Sequence, residues 1–275
     1  MMSAEASTSG PASVKRRSVP QLVWDVARMF LFGFPLYGLL GLMVYPFLLV
    51  TALPLGKTVR KRYARHIIYR AMSLWIAAME TSGILRIDFE GTEEFCRLRG
   101  VVIAPNHPTL LDATLFLSRV PQITCLMKKS ILSNPFMGGS ARLAEYLRND
   151  HGPEFIRRGR DALQAGDNLL IFPEGTRTVE PPVNQFKKGF ALIATLAEAP
   201  IQTVFIDTPL FFLGKKWPIW RIPVLPVLYK VRRGRLFQPV AGRTAKSFGD
   251  ELEAYFRSEL TATGGGVSRK TDGQS

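Results

Sequence analysis

The run Val101-Val102-Ile103 passes without a break into Ala104-Pro105-Asn106-His107-Pro108-Thr109, and then into the apolar segment Leu110 to Leu117. No other stretch limits the possible folds as tightly. A short run with no polar residue suits a strand covered on both faces, and the apolar segment beyond the polar loop suits a helix. Strand, loop, helix is the repeating unit of α/β proteins, and ligands are commonly bound at such junctions. His107 and Asp112 flank this one with four residues between them. With His107 just outside the helix and Asp112 in its first turn, the carboxylate can hold the proton of one ring nitrogen. The other nitrogen is then ready to accept a proton from an alcohol. The same residues also suit a plain helix start, with Thr109 as N-cap, Asp112 closing a capping box, and Pro108 ending the strand. From these residues alone both readings stay open.

A second stretch of the same kind lies about sixty residues on. Asn168 to Phe172 reads as a buried strand, and Pro173-Glu174-Gly175-Thr176-Arg177 as the loop at its C-terminal end. Gly175 would let backbone N–H groups approach an anion, and Arg177 offers a planar fork suited to phosphate. Glu174 is placed to orient Arg177 or the bound molecule. Alone, this pentapeptide would serve equally as an ordinary polar turn.

Together, in this order and at this separation, the two stretches resemble the glycerolipid acyltransferase family, typified by 1-acylglycerol-3-phosphate acyltransferases. Asn-His-Pro-Thr-Leu-Leu-Asp matches the family's His-x-x-x-x-Asp motif, and Phe-Pro-Glu-Gly-Thr-Arg matches a second motif. The resemblance spans roughly residues 85 to 230. It implies transfer of a fatty acyl group from a thioester donor, either acyl carrier protein or coenzyme A. The acceptor it implies is a hydroxyl of a lysophospholipid, a glycerol phosphate or a related lipid. His107 would be the general base, with Asp112 fixing its tautomer and stabilising the imidazolium. The alcohol would attack the thioester directly, so no acyl-enzyme, metal or resident cofactor is expected. The resemblance also implies that Glu174, Gly175, Thr176 and Arg177 bind the acceptor's anionic group. It places Lys128 near the acceptor's phosphate and lets the strand around Ile201 to Ile206 line a groove. Two positions depart from the family's pattern: Asn149 stands where an arginine is usual, with Arg148 one step earlier, and Thr203 stands where a second proline is usual.

Met29 to Gly56 contains no charged residue. As one straight helix it would be about 42 Å long, more than the ~30 Å hydrocarbon core of a bilayer. A basic run follows it, where a signal peptide would show a small-residue cleavage site. A membrane segment is therefore expected. Gly33, Pro35, Gly38, Gly41, Pro46 and Pro54 interrupt it, and Pro46 divides it into two pieces. Positive residues lie on both sides: Lys15, Arg16, Arg17 and Arg28 before, and Lys57, Arg60, Lys61, Arg62 and Arg65 after. This favours a re-entrant hairpin over a tilted single span, and in either case places the main domain on the cytoplasmic face.

The expected organisation follows. Residues 1–28 form a disordered basic arm, 29–56 the membrane segment, 57–83 a basic amphipathic helix at the lipid surface, 84–260 the acyltransferase domain, and 261–275 a flexible tail. The fold class is α/β, a mixed central sheet flanked by helices, with the N-terminal segment in the membrane. The formal net charge of +14 suits an anionic membrane surface. The expected partners are membrane lipids and the thioester carrier, not nucleic acid. Two other classes remain in view: a catalytically silent relative that only holds a lysolipid, and a basic nucleic-acid binder. The second is kept by the basic and aromatic stretch from Leu210 to Leu236, although Trp217 and Trp220 beside Lys and Arg suit a membrane interface better. Cys96 and Cys125 show no metal-ligand spacing and no disulfide framework.

Overall fold

The computed structural model describes residues 18–33, 35–41, 56–128, 133, 138–148, 152–208, 212–218 and 221–263. Its strands are β1 Leu85–Phe89, β2 Val102–Pro105, β3 Ile123–Met127, β4 Leu147–Arg148, β5 Asn168–Leu170, β6 Ile201–Asp207 and β7 Val227–Phe237. They form one sheet in the order β1-β7-β6-β2-β5-β3-β4, in which only β6 and β7 pair antiparallel. The helices are α1 Val19–Phe32, α2 Lys57–Thr81, α3 Thr92–Arg97, α4 Asp112–Arg119, α5 Gly138–Leu143, α6 Pro153–Gln164, α7 Gly189–Ala197 and α8 Ala245–Ala262. Residues 35–41 are helical as well. The expected mixed α/β architecture is borne out.

Alternation along the strands splits the core into two layers. Val102 and Ala104 of β2 face a cluster with Leu163 of α6, Phe190 of α7 and Phe256 of α8. Ile103 faces the opposite cluster, with Met72 and Ile76 of α2 and Phe116 of α4. With helices on both faces, β2 has no solvated side, which is why its sequence shows no polar alternation.

Three local expectations are revised. The stretch read as a disordered arm to residue 28 turns helical at Val19. Ser18 and Gln21 form a reciprocal capping box, and a proline sits in the first turn, where its missing N–H costs nothing. The segment 57–83 is a wall of the α/β domain, not a separate surface helix. Ala64, Ile68, Met72, Trp75, Ile76 and Met79 of α2 are buried, and the Ser73 hydroxyl donates to the Ser118 carbonyl of α4 at 2.7 Å. Helix α5 stops at Leu143, because Glu145 takes a positive φ of 55° and Leu147 pairs with Leu126 of β3. Finally, Lys230, Arg232, Arg233 and Arg235 of the basic stretch lie on β7, held between β1 and β6. Pro46, on which the hairpin depended, and Asn149 lie outside the described residues.

α1 rests on α2 through its polar side. Arg28 donates to the Ser82 carbonyl at 2.9 Å and to the Asp25 carboxylate, while Trp75 Nε1 donates to the carbonyls of Phe32 and Gly33 at 3.0 and 3.1 Å. Val19, Val23, Trp24, Phe30 and Leu31 on the same helix are left exposed. Val19 to Gly41 is long and apolar enough to cross a membrane by length and composition.

The basic charge of α2 is partly internal. The Arg65 side chain is 2 % exposed and donates to both Asp167 oxygens, at 3.0 and 3.2 Å, and to the Ala144 carbonyl at 3.0 Å; Lys61 adds a contact to Asp167 at 2.9 Å. Burial alone would raise the Asp167 carboxyl, but Arg65 and Lys61 outweigh it and hold the group below its usual range. A depressed folded value contributes stability above the ordinary ~3.9 of a free Asp, and this is lost as pH falls through the folded value. Asp167→Asn should therefore cost about 2 kcal/mol near neutral pH, less than a fully enclosed pair because Asp167 is partly solvated. Thermal unfolding of the two proteins should converge as pH is lowered from about 5 towards 3.

Candidate active site

Three neighbouring parallel strands deliver the site. β2, β5 and β3 end on the same edge of the sheet, so the loops carrying His107, Glu174 to Arg177, and Lys128 emerge side by side. This carboxyl edge is where open α/β sheets place their ligands.

The loop after β2 is fixed before it reaches the histidine. Asn106 is buried and imitates a strand residue: its amide donates to the Ile206 carbonyl at 3.0 Å and its oxygen accepts the Ile206 N–H at 2.7 Å. The main chain of His107 is then gripped from both sides. Its N–H donates to Glu174 Oε1 at 2.8 Å, and its carbonyl accepts the Thr178 N–H at 2.7 Å.

His107 Nδ1 lies 2.8 Å from Asp112 Oδ2. A carboxylate can only accept, so this contact assigns the proton to Nδ1 and leaves Nε2 as an acceptor. Phe172 stacks on the ring with centroids 4.0 Å apart and planes 21° from parallel, which restrains its tilt. Asp112 itself has no exposed surface, and it also accepts the Thr109 N–H at 2.8 Å and the Thr109 hydroxyl at 2.5 Å. The cap and the histidine partner are thus one group doing two jobs. Asp112 opens α4 rather than sitting in its third position, and Thr109 to Leu111 make the turn before it.

The second motif lies beside the first, with its residues in different roles from those expected. Glu174, expected to bind the acceptor, is 1 % exposed, and its oxygens already accept from His107, Asn184 and Thr178. A buried anion already hydrogen-bonded to three donors is unsuited to holding a second anion, so Glu174 joins the two loops instead. Burial raises its carboxyl above the usual range, with the three donors pulling the other way. Gly175 takes a φ of 68°, and its N–H donates to the Phe172 carbonyl at 3.0 Å, which closes the turn and takes that N–H away from any anion. Thr176 and Arg177 line the groove. Arg177 Nη1 donates to the carbonyls of Leu213 and Gly214 at 2.8 and 3.2 Å, while Nε and Nη2 have no partner among the described residues. The strand at 201–206, expected to line a groove, is buried throughout, and Thr203 spends its hydroxyl on the Arg235 carbonyl at 2.7 Å.

A single groove of about 480 Å³ joins these groups. At one end it is lined by His107, Arg177 and three exposed lysines, Lys128, Lys187 and Lys215. At the other it is apolar and buried, lined by Trp75, Met79, Leu117 and Cys125, with Met29, Gly33 and Tyr37 of the N-terminal helical stretch. Burial pushes the Cys125 thiol up to about 12, so it stays neutral there. Lys187 was not singled out from sequence. Its own stretch carries no signal for this: Lys187 is brought in by its N–H, which donates to the Pro173 carbonyl at 2.7 Å, and its stem lies beside Gly175, where an added Cβ would come within 3.2 Å of it.

Comparison with known proteins agrees with this geometry. Residues 86–207 match the model of the Acyltransferase family. The 1-acyl-sn-glycerol-3-phosphate acyltransferase of Cocos nucifera is 35% identical over 122 residues, 42% of this chain and 39% of that protein. The Homo sapiens 1-acyl-sn-glycerol-3-phosphate acyltransferase alpha is 28% identical over 184 residues, 62% of each chain. The alignments thus span about two fifths to three fifths of these relatives' lengths. The crystal structure of the 1-acyl-sn-glycerophosphate acyltransferase PlsC from Thermotoga maritima superposes with a TM-score of 0.64 over 91% of this chain and 99% of that one, at 18% identity, a likeness of fold. The matched residues 86–207 carry both motifs, so the likeness to acyltransferases rests on the same residues as the site.

The role of Glu174 can be tested without substrate. Glu174→Gln puts an amide donor where three donors converge, and should lower stability by about 1–3 kcal/mol. Thermal unfolding, together with faster hydrogen exchange at the His107 and Asn184 amides, would register it.

Proposed function

We propose that this protein is an O-acyltransferase that moves a fatty acyl group from an acyl thioester to a hydroxyl of an anionic lipid acceptor. The observation that carries this reading is His107: its Nδ1 is engaged by Asp112 at 2.8 Å, and its ring lines a groove charged at one end and apolar at the other. In the reaction, Nε2 takes the proton of the acceptor hydroxyl as its oxygen attacks the thioester carbonyl. The resulting imidazolium, stabilised by Asp112, returns that proton to the departing thiolate. No bond to the protein forms at any stage.

The exposed cations indicate what the acceptor carries. Arg177 has two N–H-bearing nitrogens without partners among the described residues, and Lys128, Lys187 and Lys215 line the same groove. A phosphate answers such a cluster best, because it accepts several charge-assisted hydrogen bonds at once. A lysophospholipid or glycerol phosphate has one near a free hydroxyl, and the apolar end of the groove suits an acyl chain. The donor is an acyl carrier protein or coenzyme A thioester. The exposed apolar residues of α1 support attachment to a membrane, and the basic charge of the domain supports its cytoplasmic side, where anionic headgroups lie.

His107→Ala should lower turnover by about 10²- to 10⁴-fold, the usual contribution of a general base, with thermal unfolding little changed. Turnover retained within a few-fold by the purified variant would overturn the mechanism. Lys187→Met should raise KM for a phosphate-bearing acceptor by about tenfold, the loss of one hydrogen bond to a charged group, and leave kcat near wild type. With monoacylglycerol as acceptor, the same substitution should change KM little.

A further inference from the structure

Tyr229 of β7 lies in the core among Val227, Val231 and the side chains of α2 and α4, and is 2 % exposed. An apolar side chain would suit those surroundings, yet a phenol is present. Its hydroxyl lies 3.1 Å from Thr109 Oγ1 and has no other hydrogen-bond partner among the described residues. Thr109 Oγ1 is itself 2.5 Å from Asp112 Oδ1 and 3.2 Å from the Leu111 N–H.

Proton counting gives these contacts a direction. Thr109 has one hydroxyl proton, and the carboxylate of Asp112 has none, so the proton between them comes from Thr109. The remaining lone pairs of Oγ1 then face two donors, the Leu111 N–H and the Tyr229 O–H. Burial and the nearby Asp112 charge raise the Tyr229 phenol, so it keeps its proton and stays a donor. Donation therefore runs from Tyr229 to Thr109 to Asp112, where it meets the donation from His107 Nδ1–H on the other carboxylate oxygen.

We infer that Tyr229 is a positioning residue for the catalytic pair: through Thr109 it orients and polarises the carboxylate that aims His107 at the acceptor hydroxyl. It reaches the site from β7, 120 residues away in sequence. The inference rests on the general-base role of His107 above. It adds that a strand two places along the sheet from β2 takes part in setting the base.

Losing the Tyr229 donor weakens the Thr109 donation to Asp112, which makes the carboxylate more basic and a stronger acceptor for His107. The imidazolium is then favoured, and His107 titrates at higher pH. Glu174, Lys128, Arg177, Lys187 and Lys215, the charged groups around the site besides Asp112, keep their surroundings in the variant.

The test uses the full chain in detergent micelles with ¹⁵N-labelled histidine, following the His107 ring nitrogens by NMR as pH is varied. Tyr229→Phe should move the His107 midpoint upward by about half a pH unit, with the backbone spectrum preserved. Thr109→Val should move it further, and Thr109→Ser, which keeps the hydroxyl, should return it to the wild-type value. With 1-oleoyl-glycerol-3-phosphate and palmitoyl-coenzyme A, Tyr229→Phe should lower kcat about three- to tenfold and leave both KM values within twofold. A His107 midpoint unmoved in Tyr229→Phe, or equally moved in Thr109→Ser and Thr109→Val, overturns the inference. Turnover surviving in His107→Ala overturns the general-base reading instead, so the two failures are separate.

Discussion

A carboxylate buried without solvent contact is costly unless its oxygens are met by donors, and Asp112 is met by three. Two come from Thr109, its neighbour across a tight turn, and the third is the imidazole of His107. The site depends on this requirement. Satisfying Asp112 starts helix α4, sets the turn after β2, and fixes both the tautomer and the orientation of the histidine. The local fold and the chemistry share these hydrogen bonds, so neither can be altered without the other.

The histidine is also held by its main chain. Glu174 accepts its N–H, Thr178 donates to its carbonyl, and Asn106 just before it is joined to β6 at Ile206. Three stretches far apart in sequence thus converge on one residue at the carboxyl edge of the sheet. The general-base role proposed for His107 needs geometry good to a fraction of an ångström, and a loop pinned at both flanks supplies it where a free loop would not. The buried charge of Glu174 is spent on this grip, leaving Arg177 and the lysines to meet an anion.

The N-terminal helices give the groove its second character. α2 packs its apolar side on α4 and points Trp75 and Met79 into the cavity, while α1 and the residues after it close the cavity with Met29, Gly33 and Tyr37. Trp75 joins these parts by donating to the carbonyls that end α1. A segment apolar on its outer side therefore also forms part of the wall, which brings the exposed apolar surface and the groove together.

Much of this was present in the order of residues. The apolar run of β2, the motif at His107 to Asp112 and its companion at Phe172 to Arg177 determined an α/β sheet, its flanking helices and the two loops that meet at the site. Each of those signals is local: periodicity, turn residues, and a spacing that lets two side chains meet across one turn. The sequence left open whether Asp112 was cap or partner of His107, and the folded chain makes it both, because one carboxylate accepts several hydrogen bonds. Only the tertiary structure decided that Glu174 faces inward, that Arg65 is sequestered by Asp167, that Lys187 joins the groove, and that Tyr229 stands behind the pair. Those roles depend on which distant strand lies alongside, as β7 lies against β6, and on the burial that results. A side chain's partners across the sheet leave no mark in its own stretch of sequence.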